Sequence, residues 1–332
     1  MSKIYEALRK AEAERKDGIA GQSASATATE ERVDLSREPV PIPAFSNTGR
    51  ALAGAPAAAR SEFPPSLQVM ELRGSLADAL PGTLDLSQVP LVAWHPSLVR
   101  LPALEERGSA VEQFRSLRSR MQEFRDLNSL KSVLVSSGLP REGKSFVAAN
   151  LAVSLARHKA ARVLLIDGDM RRATLHEMLG CPITPGLTEF LAGNASIVEV
   201  MQRAKPTTEG GKIPPGLASL TFIAAGKEHD KAADLSGNQR FQQLIEAVSP
   251  YFDWIVVDSS PVNLVSDGVN LARACDAVLL VARGAVTRFE VAQRAVAELK
   301  ASRVLGFVLN AVKNPPIAGG YYGYDGYDKI EA

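Results

Sequence analysis

Cysteine is nearly missing from this chain. Cys181 and Cys275 stand apart, without a second cysteine or a histidine at ligand spacing, which argues against a disulfide framework and against a zinc site. Long hydrophobic runs are missing too: no uninterrupted stretch approaches the roughly twenty apolar residues of a membrane-spanning helix. The charged start "MSKIYEALRKAEAERK" has no apolar segment behind it, so no secretory leader is expected. Charge of one sign is also lacking. The 38 Lys and Arg against 37 Asp and Glu leave a net +1, so no overall field favours nucleic acid or an anionic membrane as the main partner. Aromatic residues make up only 6%, and of six tyrosines four, Tyr321, Tyr322, Tyr324 and Tyr327, are strung among glycines in "GGYYGYDGYDKIEA". A tyrosine ordinarily buries its ring and pairs its hydroxyl. No packed element can form around these four, so they need another purpose.

What is present is enough for a substantial core, since 45% of the 332 residues are hydrophobic. Residues 1–16 carry Ile4, Leu8 and Ala11 at helical spacing, a short amphipathic helix that either lies on the surface or docks a partner. Residues 17–65 are rich in Ala, Ser, Pro and Gly and read as a disordered linker, because they hold too little apolar surface to offset the entropy of ordering. Residues 66–105 contain short apolar pieces such as "VPLVAWHPSLV" between prolines, an extended segment packing on the core or leading to it. The main domain spans 106–314 and a flexible tyrosine-rich tail spans 315–332.

The main domain opens with "GSAVEQFRSLRSRMQEF", where Val111, Phe114, Leu117 and Met121 mark a helix. From residue 131 strands alternate with helices: "SVLVSS", "RVLLID", "LTFIAAG", "WIVVDSS", "DAVLLVA" and "LGFVLNAV" are apolar strands, with helices after the first and between later ones. Continuous apolar strands separated by helices imply an α/β fold whose mostly parallel sheet is covered on both faces.

Gly138, Leu139, Pro140, Arg141, Glu142, Gly143, Lys144 and Ser145 fit G-x-x-x-x-G-K-[ST] between a predicted strand and a predicted helix, as a phosphate loop requires. With Phe146 they form the expected ATP-binding segment. Glycines let backbone N–H groups and the helix N-terminus face phosphate oxygens. Lys144 would reach the β and γ phosphates and the Ser145 hydroxyl would ligate Mg²⁺. "WIVVDSS" delivers Asp258 at the end of another apolar strand, and ligands of open α/β sheets bind at that edge. Asp258 is thus the expected Mg²⁺ partner, direct or through water. "RVLLIDGDMRR" ends a third strand with Asp167 and Asp169, which would repel each other unless a cation or a proton-accepting role separates them. They could hold Mg²⁺ or take the proton of an attacking hydroxyl; a plain turn with two solvated acids is the bland reading. Arg171 could support transfer or pair with Asp169.

With these motifs the chain resembles the bacterial tyrosine kinases, the CpsD/CapB-like cytoplasmic autokinases of exopolysaccharide biosynthesis. The resemblance rests on the phosphate loop at 138–145, hhhDxDxR at Leu164 to Arg171, the strand ending at Asp258, the tyrosine-rich tail, and E-x-x-R-x-x-R at Glu112, Arg115 and Arg118. The start "SKIYEALRKAE" is similar to kinases associated with exosortase gene clusters. The resemblance implies a P-loop NTPase fold and a Mg-ATP-dependent tyrosine autokinase. Lys144, Ser145 and Asp258 match the nucleotide and Mg²⁺ contacts, and Asp167 matches an acid that binds Mg²⁺ and activates the acceptor; Asp169 is its companion. Tyr321, Tyr322, Tyr324 and Tyr327 match the cluster phosphorylated in trans, which glycine keeps extended and mobile. Glu112, Arg115 and Arg118 match a contact between ring subunits; at helical spacing Glu112 can pair with Arg115, leaving Arg118 for another partner.

The resemblance also implies a homo-oligomer, a tyrosine phosphatase, and a separate membrane-anchored Wzz-like polysaccharide co-polymerase as activator. The kinase would then be cytoplasmic and peripheral to the inner membrane, with no nucleic-acid partner. One departure lies just after the Asp258 strand, where the family usually reads Asp-Thr-Pro-Pro. Here Ser259 and Ser260 stand between Asp258 and Pro261, and Ser260 in place of proline is expected to loosen the turn. Two other readings share these motifs. A ParA/MinD-like switch ATPase usually has a further lysine where this chain has Leu139, and gives the tyrosines no purpose. A nucleotide-binding regulator of polysaccharide assembly would bind without transferring.

Overall fold

The computed structural model describes residues 84–159, 161–205, 213–227 and 231–312. The expected N-terminal helix, the linker, the first part of the 66–105 segment and the tyrosine tail lie outside the described residues.

In chain order the elements are β1 (Leu91–Val92), α1 (Ser109–Asn128), β2 (Ser132–Ser137), α2 (Lys144–Ala156), β3 (Val163–Gly168), α3 (Leu175–Leu179), α4 (Leu187–Ala192), α5 (Ile197–Val200) and β4 (Met201–Ala204). There follow β5 (Leu220–Ile223), α6 (Ala232–Ser236), α7 (Gln239–Val248), β6 (Trp254–Ser259), α8 (Asp267–Ala272), β7 (Ala277–Arg283), α9 (Phe289–Glu298) and β8 (Val304–Asn310). The strands form one sheet in the order β1-β4-β5-β3-β6-β2-β7-β8. Every pairing is parallel except β4 with β5.

Burial explains the strand sequences. All positions of β2, β3 and β6 are buried, so both faces of each strand are apolar rather than alternating. One face packs under α1 and α2, with Trp94, Phe222 and Trp254 at its centre and the Trp94 and Phe222 rings edge to face at 6.2 Å. The other packs under α7, α8 and α9, with Phe241 and Leu244 of α7 and Phe252 before β6 in that core. Each such side chain contributes roughly 1.5–3 kcal/mol when fully buried.

Helix α2 is buried from Val147 through Ala156, which its run of alanines, valines and leucines permits on every side. Its one interior amide, Asn150, is satisfied: Oδ1 accepts from the Ala103 amide at 3.0 Å, and Nδ2 donates to the carbonyls of Arg100 and Phe146 at 3.0 and 2.9 Å. These bonds fasten residues 100–104 onto the domain, where Leu101 is fully buried. Upstream, the Leu84 amide donates to the Tyr251 hydroxyl at 2.6 Å and β1 pairs with β4. Strand β4 was not foreseen, because "MQRA" has neither alternation nor an apolar run. The expected strand "LTFIAAG" ends at Ile223; the carbonyls of Ala224 and Ala225 turn away to accept from Leu187 and Thr188 at the start of α4.

Candidate active site

Strands β3, β6 and β2 are consecutive neighbours and parallel, so the loops that leave them emerge at one edge of the sheet. That topology brings three distant sequence motifs together. After β2 the chain curls through Gly138–Gly143 and starts α2 at Lys144. Gly143 is left-handed at φ +94°, and a Cβ there would lie 1.9 Å from Asn310 Nδ2 at the end of β8, so glycine is required twice over. Asn310 Nδ2 donates to the Glu142 carbonyl at 3.0 Å, pinning the crown of the loop.

Glu142 itself does not face outward. Its carboxylate is buried, accepts from the Leu139 amide at 2.8 Å, and accepts from the Thr287 hydroxyl in the loop after β7. Leu139, Pro140 and Arg141 form the exposed rim, and Arg141 has φ +64°. Phe146 packs on Phe114 of α1 at 5.8 Å between ring centroids.

Asp167 and Asp258 are direct register partners on β3 and β6, and both are fully buried. Asp167 is used by its own turn: Oδ1 accepts from the Asp169 amide at 3.3 Å and Oδ2 from the Leu175 amide at 3.1 Å. Burial first, and the Asp258 charge second, raise its pKa well above the usual carboxylate range. Asp258 differs. Neither of its oxygens has a hydrogen-bond partner among the described residues, although the Ser145 hydroxyl and Ser259 amide lie near enough to favour its charge. Burial nonetheless pushes its pKa up to about 6.

Lys144 Nζ lies 2.7 Å from Asp169 Oδ2 and 3.2 Å from Ser145 Oγ. Burial works against its ammonium, yet Asp258, Asp169 and Asp167 together outweigh that and raise its pKa above the ordinary lysine value. Asp169 is therefore not a solvated turn acid; it is 3% exposed and shares a cation.

A buried carboxylate with both oxygens unpartnered costs several kcal/mol unless a cation completes it. Asp258 consequently fits a bound Mg²⁺, with the Ser145 hydroxyl beside it. Among the described residues no cluster of three or more His, Cys, Asp or Glu has metal-holding geometry. Mg²⁺ does not require one, since it is usually held by one or two carboxylates with phosphates and water. The glycine-lined loop at the N-terminus of the 13-residue α2 fits a polyphosphate.

Four participants escaped sequence reasoning. Ser260 Oγ donates to Asp169 Oδ1 at 2.9 Å, so this serine is buried and bonded where a loosened turn was expected. Arg171 pairs with Asp267 rather than with Asp169: its Nε lies 2.5 Å from Asp267 Oδ2, and Asp267 is fully buried at the start of α8. Thr287 and Asn310 complete the set through Glu142. Asn310 carried the one usable signal, a polar side chain closing an apolar strand.

Glu112, Arg115 and Arg118 lie on α1, with Arg118 bound to the far half of α2 rather than to the phosphate loop. Glu112 and Arg115 are ion-paired as their spacing allows, Arg115 Nη2 also donates to the Glu106 carbonyl at 2.9 Å, and Arg118 Nη1 donates to the Ser154 carbonyl at 3.0 Å. Tyr321, Tyr322, Tyr324 and Tyr327 are outside the described residues.

Among known proteins, no family model matches the chain. Tyrosine-protein kinase YwqD of Bacillus subtilis is 32% identical over 222 residues, covering 66% of this chain and 89% of that protein. Tyrosine-protein kinase wzc of Salmonella typhimurium is 33% identical over 223 residues, covering 66% of this chain. The chain spans only 29% of the Salmonella protein's length, and 28% of tyrosine-protein kinase ptk of Acinetobacter johnsonii. The solved kinase domain of Escherichia coli tyrosine kinase ETK superposes with a TM-score of 0.59 at 27% identity, over 68% of this chain and 84% of that one.

Proposed function

Since the chain belongs to the bacterial tyrosine-protein kinases, we propose that it is a Mg-ATP-dependent protein-tyrosine autokinase that phosphorylates Tyr321, Tyr322, Tyr324 and Tyr327 in trans. The observation that carries this reading is the meeting of two buried acids in register, one with both oxygens unpartnered, beside the phosphate-loop lysine.

The loop amides and Lys144 would hold the triphosphate, and Ser145 and Asp258 would hold the Mg²⁺. The metal, when bound, neutralises charge on the phosphates. Asp167 accepts the phenol proton of an incoming tyrosine. The phenol oxygen then bonds to the γ-phosphorus, the bond to the β,γ-bridging oxygen breaks, and ADP leaves. A carboxylate whose pKa is raised by burial is a stronger base than an ordinary one, which suits Asp167 to that role. Positioning and charge compensation supply most of phosphoryl-transfer catalysis, and a constellation this small is therefore sufficient.

Around this reaction stand the partners of such a kinase: further copies in a ring through Glu112, Arg115 and Arg118, a membrane-anchored Wzz-like co-polymerase as activator, and a tyrosine phosphatase that resets the tail. The process served is exopolysaccharide synthesis and export, with the kinase cytoplasmic and held to the inner membrane by its activator. No helix among the described residues is long and apolar enough to cross a membrane.

The test is incubation of the purified chain with Mg-ATP and mapping of phosphate by mass spectrometry, with Lys144→Met as the control. Phosphate on the tail of the wild type alone is expected. ATP hydrolysis with a clean tail would replace the kinase by the switch ATPase, and nucleotide binding with neither activity would leave the regulator. Mixing the Lys144→Met chain with an active chain truncated before Tyr321 places phosphate on the former if transfer crosses between copies.

A further inference from the structure

Lys144 has two claimants. Its ammonium sits 2.7 Å from Asp169 Oδ2, yet a phosphate loop works only when its lysine is on the phosphates. Nucleotide binding thus requires Asp169 to give up its cation while 3% exposed, with little water to replace it. What remains to stabilise the abandoned carboxylate is the Arg171 charge nearby and the other oxygen's hydrogen-bond partners: Ser260 Oγ at 2.9 Å and the Arg172 amide at 3.2 Å.

The hydroxyl is well placed for this task. Ser260 is 1% exposed, follows β6 directly, and is anchored through its own carbonyl, which accepts from Ser136 Oγ at 2.9 Å. A proline at this position keeps that carbonyl but has no hydroxyl to offer Asp169. A hydrogen bond to an anion strengthens when the anion loses its counter-charge, so Ser260 favours the state with Lys144 released over the state with Lys144 paired. A residue shifts such an equilibrium only through that difference.

We infer that Ser260 is a positioning residue that sets nucleotide affinity: it holds Asp169 as a free carboxylate and so makes Lys144 available to the phosphates. The inference rests on the nucleotide reading of the phosphate loop and not on tyrosine transfer.

The experiment is titration calorimetry of Mg-ADP into the full chain. Ser260→Ala should weaken binding about three- to tenfold, the difference expected of one hydrogen bond to a charged group in its two states. Ser260→Pro should weaken it alike, and Ser260→Thr, which keeps the hydroxyl, should stay within threefold of wild type. Because the serine acts through the Asp169 charge, Ser260→Ala made in an Asp169→Asn background should change affinity less than twofold. In turnover, the Ser260→Ala effect should fall on the KM for ATP with kcat nearly unchanged.

A loss of less than threefold in the wild-type background overturns the assignment. So does an equal loss in both backgrounds, which is what a merely structural role for the serine predicts. A wild type that fails to bind Mg-ADP overturns this inference and the nucleotide reading together. A wild type that binds Mg-ADP but leaves its tail unmodified overturns only the kinase.

Discussion

Asp258 is the residue where burial and function oppose each other most directly. Its folded-state pKa is raised from 3.8 to about 6, so between those values the folded metal-free chain binds more protons than the unfolded one. Stability therefore falls as pH rises through that window, and the full loss is present above it. Asp258→Asn removes the penalty. Each tenfold change in proton affinity is worth about 1.4 kcal/mol, so without metal or nucleotide the variant should be more stable than wild type by roughly 1–3 kcal/mol at about pH 7.5 in urea titrations. The gap should close near the ordinary carboxylate pKa, about pH 4. Mg-ADP should raise the melting temperature of wild type by more than that of the variant, which keeps the phosphate loop but lacks the carboxylate for the metal. A variant less stable than wild type at neutral pH would mean that the carboxylate is satisfied without a cation.

The Arg171–Asp267 pair is lopsided in the same way: the side chains are 42% and 1% exposed. Arg171→Ala strands a buried carboxylate, whereas Asp267→Asn leaves a half-exposed guanidinium that water can serve. Denaturant midpoints should show the first costing about 1–3 kcal/mol, after discounting the exposed partner, and the second under about 1. Equal costs would indicate a pair held together only by surface attraction. Asp167 and Asp258 were legible in sequence because each closes an apolar run, Asp169 because it follows two residues on, and Lys144 because it stands in a glycine-spaced motif, all local patterns. Asp267 and Ser260 were not, because their roles are side-chain contacts to residues 96 and 91 positions away along the chain. No periodicity encodes such a contact.

At the scale of elements, the phosphate loop is shaped by β8 and by the loop after β7, not by β2 and α2 alone. Asn310 closes β8 and donates to the Glu142 carbonyl, and Thr287 holds the Glu142 carboxylate. Gly143→Ala would set a methyl group 1.9 Å from Asn310 Nδ2 at a φ of +94°. Mg-ADP affinity should fall at least about tenfold, since the left-handed backbone alone costs roughly 1–2 kcal/mol. Adding Asn310→Ala removes the obstruction but also the donor, and φ is unchanged, so calorimetry of the double variant should show no recovery. Recovery would mean that only crowding, and not conformation, demands glycine. The long elements were readable because α1, α7 and α9 carry one apolar stripe and the central strands each hold an unbroken apolar run. Four-residue β4, wedged between β1 and β5, owes its pairing to those neighbours rather than to its own residues.

At the scale of the whole molecule, the question is whether the charges on α1 serve this chain's fold or its assembly. Arg118 is partly committed to the fold: it donates to the Ser154 carbonyl, and Ser154 Oγ returns a bond to the Phe114 carbonyl at 3.2 Å. Its removal should cost about 1 kcal/mol and would confuse folding with association. Glu112 and Arg115 are better probes. Their side chains are 64% and 41% exposed, and an exposed pair at i,i+3 contributes at most a few tenths of a kcal/mol to its own helix. Glu112→Ala with Arg115→Ala should therefore leave the urea midpoint nearly where it was, within about 0.5 kcal/mol. If these residues join copies of the chain, sedimentation of the double variant should show the wild-type oligomer replaced by monomer. Tail phosphorylation should then depend more steeply on protein concentration, because acceptor and active site must meet by diffusion. An oligomer that survives the double substitution would assign the pair to an ordinary solvated helix face and move the contact between subunits elsewhere.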